Sequence, residues 1–506
     1  MANIEQQLSK ISDSLRGKMN ADEYKNYILG FIFYKYLSDS YKDYLNKYKV
    51  SMRFASIEEI VNSKDEYTDF KESALEKIGF YLEKGECCNE ILEKGKTEII
   101  LEDLSNVFRS IEERTIGTAS QSDFQGLFVD LDLMSSKLGE TPEKRNKVVV
   151  SILSDLSEVD YELDSKDKDI LGDAYEYLIS NFAATAGKKG GEFYTPQEVS
   201  KLLSRIISIG KKEMASVYDT TCGSGSLLLQ VRNYTNVKDL YGQELNPTTY
   251  NLARMNMLMH NVPFADFDIQ KGDTLENPKH LDKKFEGIVA NPPYSAHWNP
   301  DALRGDERFE GPGKMAPKTK ADFAFVQHML YQLEDNGTMA VVLPHGVLFR
   351  GSGELAIRKW LIENKNYLDA VIGLPANIFY GTSIPTVVLV FKKCREEDQG
   401  VLFIDSSAFF EKAKNKNIMR EQDIEEIMRV YEGRYHVNKY SREVPLSEIA
   451  ENDYNLNIPR YVDTFEEEEE IELSTVFEDL SILEKESKVI DTELGEFFKE
   501  LGIDNE

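Results

Sequence analysis

The sequence predicts an α/β protein, in which a seven-stranded and largely parallel sheet lies between an all-α N-terminal region and a helical C-terminal tail. Three observations predict it. From about Gly190 short apolar runs alternate with helical stretches, the pattern of a parallel sheet whose strands are reached through crossover helices. Before that point apolar residues recur at helical spacing, and near the C-terminus they fall into heptads.

The first helix is read from "MNADEYKNYILGFIFYKYLSDSYKDYLNKY". It opens with the capping-box pair Asn20 and Glu23 and then carries Tyr24, Tyr27, Ile28, Phe31 and Ile32 on one face. An aromatic-rich core helix of a bundle fits this pattern. Helical stretches continue to about residue 182, with "SKDKD" and "ATAGKKGG" as exposed breaks, and a boundary is expected near residue 165.

Seven strands follow: "SVYD", "DLYGQE", "FDIQKGD", "EGIVAN", "TMAVVLP", "LDAVIGL" and "TVVLVFKK". The last two are separated by a short loop without a helix, so they are expected as an antiparallel edge pair. The sheet region is expected to span 166–440 and the tail 441–506. In the tail Val476, Leu480, Leu483, Ile490, Leu494, Phe497 and Leu501 lie alternately four and three apart once Ser487 takes one seam position. This seam either packs on its own domain or is offered to a partner; the acidic run before it is a solvated stretch.

Composition narrows the function. With 506 residues the chain can build two or three cored domains, and a net charge of −29 opposes binding to a polyanion. If the protein works on DNA, another component supplies much of the grip. The N-terminus lacks the apolar core of a signal peptide and no window approaches a membrane span, so a cytoplasmic protein without membrane contact is expected. Cys87, Cys88, Cys222 and Cys394 form no CxxC pair and no cluster with histidine. Four buried thiols are expected, with neither a disulfide scaffold nor a metal site.

The chemistry concentrates at strand ends. "YDTTCGSGSLLLQ" places Asp219 at the end of a strand, then Gly223, Ser224, Gly225 and Ser226 in a turn that leads into a helix start, where the backbone can approach a ligand closely. An ordinary strand-turn-helix junction has the same signature, and the dinucleotide fingerprint GxGxxG is not met. One βα unit later "LYGQELN" ends in Glu244, able to accept from both hydroxyls of a ribose, and "KGDTL" offers Asp273 beside an adenine position. Three acids at the carboxyl ends of three consecutive strands suit one bound nucleoside. Upstream, in "GGEFYTPQEV", Thr195 is an N-cap candidate, Pro196 suits the first helical position and Glu198 completes a capping box, so a helix starts there with free amides.

The strand "EGIVAN" then delivers "NPPY" to the same edge. Prolines cannot continue a ladder, so the Asn291 side-chain oxygen and the Pro292 carbonyl remain free to accept two N–H bonds from an exocyclic amino group, while Tyr294 can stack on its ring. The long connection that follows carries Arg304, Arg308, Lys314, Lys318 and Lys320, and is expected as a mobile, DNA-facing loop or, alternatively, a merely solvated one.

Taken in order, "GEFYTP", "DTTCGSGSL", "GQELN", "GDTL", "NPPY" and "FYGTSIPTVVLVFKK" resemble the S-adenosylmethionine-dependent amino methyltransferases that act on adenine in DNA. With the helical N-terminus and "DYNLNIPRYVD", nearly the whole chain is similar to the modification subunit of Type I restriction-modification systems. The resemblance implies a seven-stranded Rossmann-like sheet with an antiparallel last hairpin. It implies that Glu192, Phe193, Tyr194, Thr195, Pro196, Gln197, Gly223, Ser224, Gly225, Ser226 and Glu244 bind S-adenosylmethionine, assisted by Asp219 and Asp273. Asn291, Pro292, Pro293 and Tyr294 would hold a flipped adenine, with Phe379 or Tyr380 on its other face. Cys222 would fill space in the cofactor turn.

The resemblance also implies partners: a specificity subunit that reads double-stranded DNA, a restriction subunit in the larger complex, and a second copy of this chain. No Walker A motif is present, so any ATP-driven motor belongs to another chain. Three other readings compete. A protein-glutamine methyltransferase also uses NPPY but does not call for the helical first third. A self-sufficient DNA methyltransferase needs a recognition domain that no basic or repeated segment offers. A silent cofactor-binding scaffold has no need of an intact NPPY.

Overall fold

Nine strands, rather than the expected seven, form the main sheet of the computed structural model, which describes residues 21–158, 177–179, 194–380, 382–413, 416–464 and 473–500. They are β1 (Glu213–Asp219), β2 (Asn236–Glu244), β3 (Phe267–Lys271), β4 (Phe285–Ala290), β5 (Leu333–Pro344), β6 (Leu368–Gly373), β7 (Thr386–Lys392), β8 (Val401–Asp405) and β11 (Ser441–Val444). Their spatial order is β11-β8-β6-β7-β5-β4-β1-β2-β3. The seven expected strands are all present. β7 runs antiparallel to both β5 and β6, as the short loop before it requires, but the pair is not at the edge, because β8 covers β6 in parallel and β11 closes that side.

The physical reason for the miscount differs between the two added strands. β8, "VLFID", is a buried apolar run of the same kind as its neighbours, whereas β11, "SREV", buries only Ser441 and Val444 and so carries no apolar signature. Of the stretch 441–462, assigned in the sequence to the tail, Ser441–Val444 is therefore a strand of the sheet and the rest lies in the same compact unit. The chain divides into two compact units, Met1–Val462 and Asp463–Glu506. Tyr461 packs its ring at a tilt on Phe403 of β8, centroids 4.4 Å apart, and the Leu456 amide donates to the Leu348 carbonyl at 2.9 Å.

Both sheet faces are buried, and the period-two alternation of strands sorts their residues. Along β5, Met339, Val341 and Leu343 join one core, while Ala340 and Val342 join the other, which is continuous with the core of the helical N-terminal region. The helix Ala21–Met52 anchors that region and buries Tyr24, Tyr27, Ile28, Phe31 and Ile32; Asn20 lies outside the described residues. Polar groups fasten it to the helix Pro247–Met259, which follows β2. Arg254, 1% exposed, donates to the carbonyls of Ser122 and Gln125 at 2.7 and 2.9 Å, and the Tyr36 hydroxyl donates to the Leu258 carbonyl at 2.6 Å.

The second unit contains the helix Leu473–Glu500. Leu480, Leu483, Ile490, Leu494 and Phe497 of the predicted seam are exposed on it, as is Phe477. Leu501 and the Val476 side chain lie outside the described residues. Among the described residues no helix is long and apolar enough to cross a membrane.

Candidate active site

At the end of β1 the chain turns through Thr220 to Gly225 into the short helix Ser226–Val231. Gly223 and Gly225 adopt φ of +55° and +80°, the left-handed region where a Cβ is costly. At Gly225 a Cβ would also come within 2.7 Å of Met257 Cε. Glu244, at the end of β2, accepts from the Gly223 amide at 3.0 Å and the Asn246 amide at 2.8 Å, so the second strand holds the turn of the first. Cys222 is buried between them, its amide bonded to the Gln243 carbonyl, and burial raises its thiol; it fills space as expected. Cys87 and Cys88 are likewise buried, but Cys394 is exposed, contrary to expectation, because it follows β7 in a surface turn.

Asp219 is 2% exposed and accepts from the Thr221 amide at 2.9 Å. Burial pushes its carboxyl up to about 8, with the nearby Glu244 charge adding to the effect. Burial also raises Glu244, against the pull of its amide donors. The Thr220 and Thr221 hydroxyls beside them are buried without a protein partner. Two carboxyls held above their ordinary range, unpartnered hydroxyls and a glycine cradle fit a cationic nucleoside ligand such as S-adenosylmethionine. Asp273 caps its own turn, accepting from the amides of Leu275 and Glu276 at 2.8 and 2.9 Å, and the adjacent Thr274 hydroxyl donates to the Thr220 carbonyl at 2.5 Å.

Asn291 follows β4 at the same edge. Its Nδ2 donates to the Thr195 hydroxyl at 3.2 Å, and its Oδ1 accepts from the Tyr294 hydroxyl at 2.9 Å. Pro292 is buried and Pro293 exposed. The helix after Thr195 begins at Gln197, with Pro196 as a cap that makes no side-chain bond, one residue later than the capping-box reading places it. Thr195 is thus released to meet Asn291, and Glu198 pairs with Lys416 instead of with its own helix end. Tyr194 is buried, Gln197 is exposed, and Glu192 and Phe193 lie outside the described residues. Of the two aromatic candidates, Phe379 is 3% exposed and meets Tyr294 edge to face at 5.9 Å, while Tyr380 is half-buried.

In the long connection after NPPY, several of the basic groups expected to face DNA are tied to the chain itself. Trp298 Nε1 donates to the Pro317 carbonyl at 3.0 Å. Arg308 is 5% exposed, donating to the Leu275 carbonyl at 2.7 Å and to His328 Nδ1 at 3.0 Å. Burial and the Arg308 charge lower His328 to about 3, which leaves that nitrogen neutral and able to accept. Arg304 pairs with Asp301, and Lys320 donates to the Ser295 hydroxyl, so Lys314 and Lys318 are the exposed lysines of the connection.

Sequence reasoning missed two supports. Ser295, with φ of +53°, is held by Asp322 Oδ1, which accepts its amide at 2.8 Å while Arg350 pairs with the other oxygen at 2.7 Å. The second is the β-hairpin of β9 (Glu411–Lys412) and β10 (Asn417–Ile418), which brings Lys416 to Glu198. Neither has a local signal, since each joins residues far apart in sequence.

Comparison with known proteins agrees with this geometry. The family "N-6 DNA Methylase" matches residues 166–470, and the "HsdM N-terminal domain" matches residues 4–156. The chain is 37% identical to the Type I restriction enzyme MpnII methylase subunit of Mycoplasma pneumoniae, over 99% of this chain and 96% of that one. It is 33% identical to the MjaVII methylase subunit of Methanocaldococcus jannaschii, over 92% and 80%. A crystal structure of the type I restriction-modification system methyltransferase subunit from Streptococcus thermophilus superimposes with a TM-score of 0.83 at 43% identity, covering 91% of this chain and 99% of that one. The fold, the edge that gathers Asp219, Glu244 and Asn291, and these relatives agree: the chain belongs to the N-6 DNA methylase family, as a modification subunit of the Type I restriction-modification kind.

Proposed function

We propose that Asn291, Pro292, Pro293 and Tyr294 hold an extruded adenine and that Tyr194 to Gln197, Gly223 to Ser226, Glu244, Asp219 and Asp273 hold S-adenosylmethionine. The observation that supports this is the Asn291 to Thr195 bond of 3.2 Å, which ties NPPY to the segment read as cofactor-binding. S-adenosylmethionine, when bound, supplies an electrophilic methyl sulfonium. The chain's own contribution is orientation and hydrogen bonding. Asn291 Oδ1, which Tyr294 here occupies, and the Pro292 carbonyl accept the two N–H bonds of the adenine amine and concentrate electron density on its nitrogen. Tyr294 stacks on one face of the base and Tyr380, the more open of the two candidates, on the other. Stacking on two faces, worth roughly 1 to 3 kcal/mol each, offsets a flipping cost of a few kcal/mol.

The DNA site is read elsewhere. A chain of net charge −29 gains little from phosphates, and the exposed seam on Leu473–Glu500 is the surface through which a specificity subunit docks. The relatives are named methylase subunits of Type I restriction enzymes, in keeping with a restriction subunit in the larger assembly, and the family resemblance implies a second copy of this chain there. Asn291→Ala is expected to abolish methylation of DNA in the assembled complex while S-adenosylmethionine still binds, measured by calorimetry; retained methylation would refute the assignment.

A further inference from the structure

We infer that Lys416 is a positioning residue for the target base, tying the ring of Tyr380 to Glu198 at the lip of the cofactor pocket. The Lys416 ammonium lies 2.5 Å from Glu198 Oε1 and 5.1 Å from the centre of the Tyr380 ring. Both charged residues are nearly buried, Lys416 at 8% and Glu198 at 9% exposure. A buried ion pair is a poor source of net stability, because desolvating two charges cancels much of their attraction. The hairpin that carries Lys416 is short and polar, with Glu411 and Lys412 exposed. What it reaches is the aromatic loop: Asn417 donates from its amide to the Asn377 carbonyl at 2.8 Å and from its side chain to the Ala376 carbonyl at 2.7 Å.

These contacts close a circuit around the base site. Tyr294 bonds Asn291, and Asn291 bonds Thr195. Three residues on, in the first helical turn, Glu198 bonds Lys416, which sits over Tyr380. Phe379, adjacent to Tyr380, returns to Tyr294 edge to face. The spacing between the rings that would flank the base is therefore set through Lys416, and the ammonium on Tyr380 adds a cation–π contact that holds the ring's orientation. Opening the circuit at Lys416 leaves the Asp219 and Glu244 pocket intact but frees Tyr380 to turn.

This inference rests on the base-binding reading above, and its test separates the two. The full complex of the chain with its DNA-reading subunit is assayed on a duplex carrying 2-aminopurine at the mapped methylated adenine, and on the adenine duplex for turnover. Lys416→Met is expected to leave the dissociation constant for S-adenosylmethionine within about twofold, and to lower kcat by about tenfold or more, since small misplacements are costly in oriented transfer. The 2-aminopurine fluorescence gain on binding should shrink in parallel, and Lys416→Arg should restore most of both. If Lys416→Met does not fold, Glu198→Gln is expected to show the same pattern in weaker form. Wild-type turnover and fluorescence in the folded Met or Gln variant would overturn the inference, as would a loss that Arg fails to rescue and that follows cofactor affinity. Asn291→Ala runs alongside: if it methylates normally the base-binding reading falls, and if it is inactive while Lys416→Met is normal only the positioning role falls.

Discussion

At Asp219, burial sets the charge state that a ligand meets. The carboxyl is enclosed at the end of β1 and raised to about 8, so near pH 7 it is mostly protonated in the free chain. Ionising it costs the fold stability as pH rises from the ordinary carboxylate range toward 8, and a bound cation offsets that cost. Binding of S-adenosylmethionine should therefore release a proton below pH 8. Calorimetry at pH 7 in buffers of different ionisation enthalpy is expected to show release of about one proton per ligand, abolished in Asp219→Asn. Equal release by the Asn variant would place the proton elsewhere. Asp219 and Glu244 were legible as strand ends, since β1 and β2 close on them, while Asp273 lies two residues past the end of β3. The Glu198–Lys416 pair was not legible, because its partners lie 218 residues apart and only the folded sheet brings them together.

Strands and helices were legible where burial is two-sided. β4 and β5 read as near-continuous apolar runs because both their faces are covered, whereas β11 is an edge strand with two buried residues and left no trace in the pattern. The helix after Thr195 shows a local signature overridden by tertiary contact: the capping box in "TPQE" is present in sequence, yet Thr195 and Glu198 each turn to a distant partner. That difference is measurable. Loss of a Thr N-cap or of the bond to Asn291 would each cost about 1 kcal/mol, so the readout that separates them is turnover: Thr195→Val should reduce methylation, because Asn291 loses its tether. A loss of stability of the full capping size, with unchanged turnover, would restore the capping role.

Over the whole molecule, an acidic chain presents NPPY at a sheet edge and an exposed apolar seam. The expectation of a partner came from net charge and heptad spacing, both properties that sequence displays without a fold. What sequence could not display was that the stretch 441–462 lies in the same compact unit as the sheet, since its hold on Phe403 and Leu348 is tertiary. On the proposed reading, docking belongs to the unit Asp463–Glu506, which carries the exposed seam. The most direct measurement is transfer of labelled methyl from S-adenosylmethionine to duplex DNA by the full chain alone, by the full chain with its specificity subunit, and by a chain ending near residue 470 with that subunit. N6-methyladenine is predicted only for the full chain with its partner, with the shortened chain binding cofactor but failing to co-purify. Equal DNA methylation by the chain alone, or label recovered on protein glutamine instead of adenine, would contradict it.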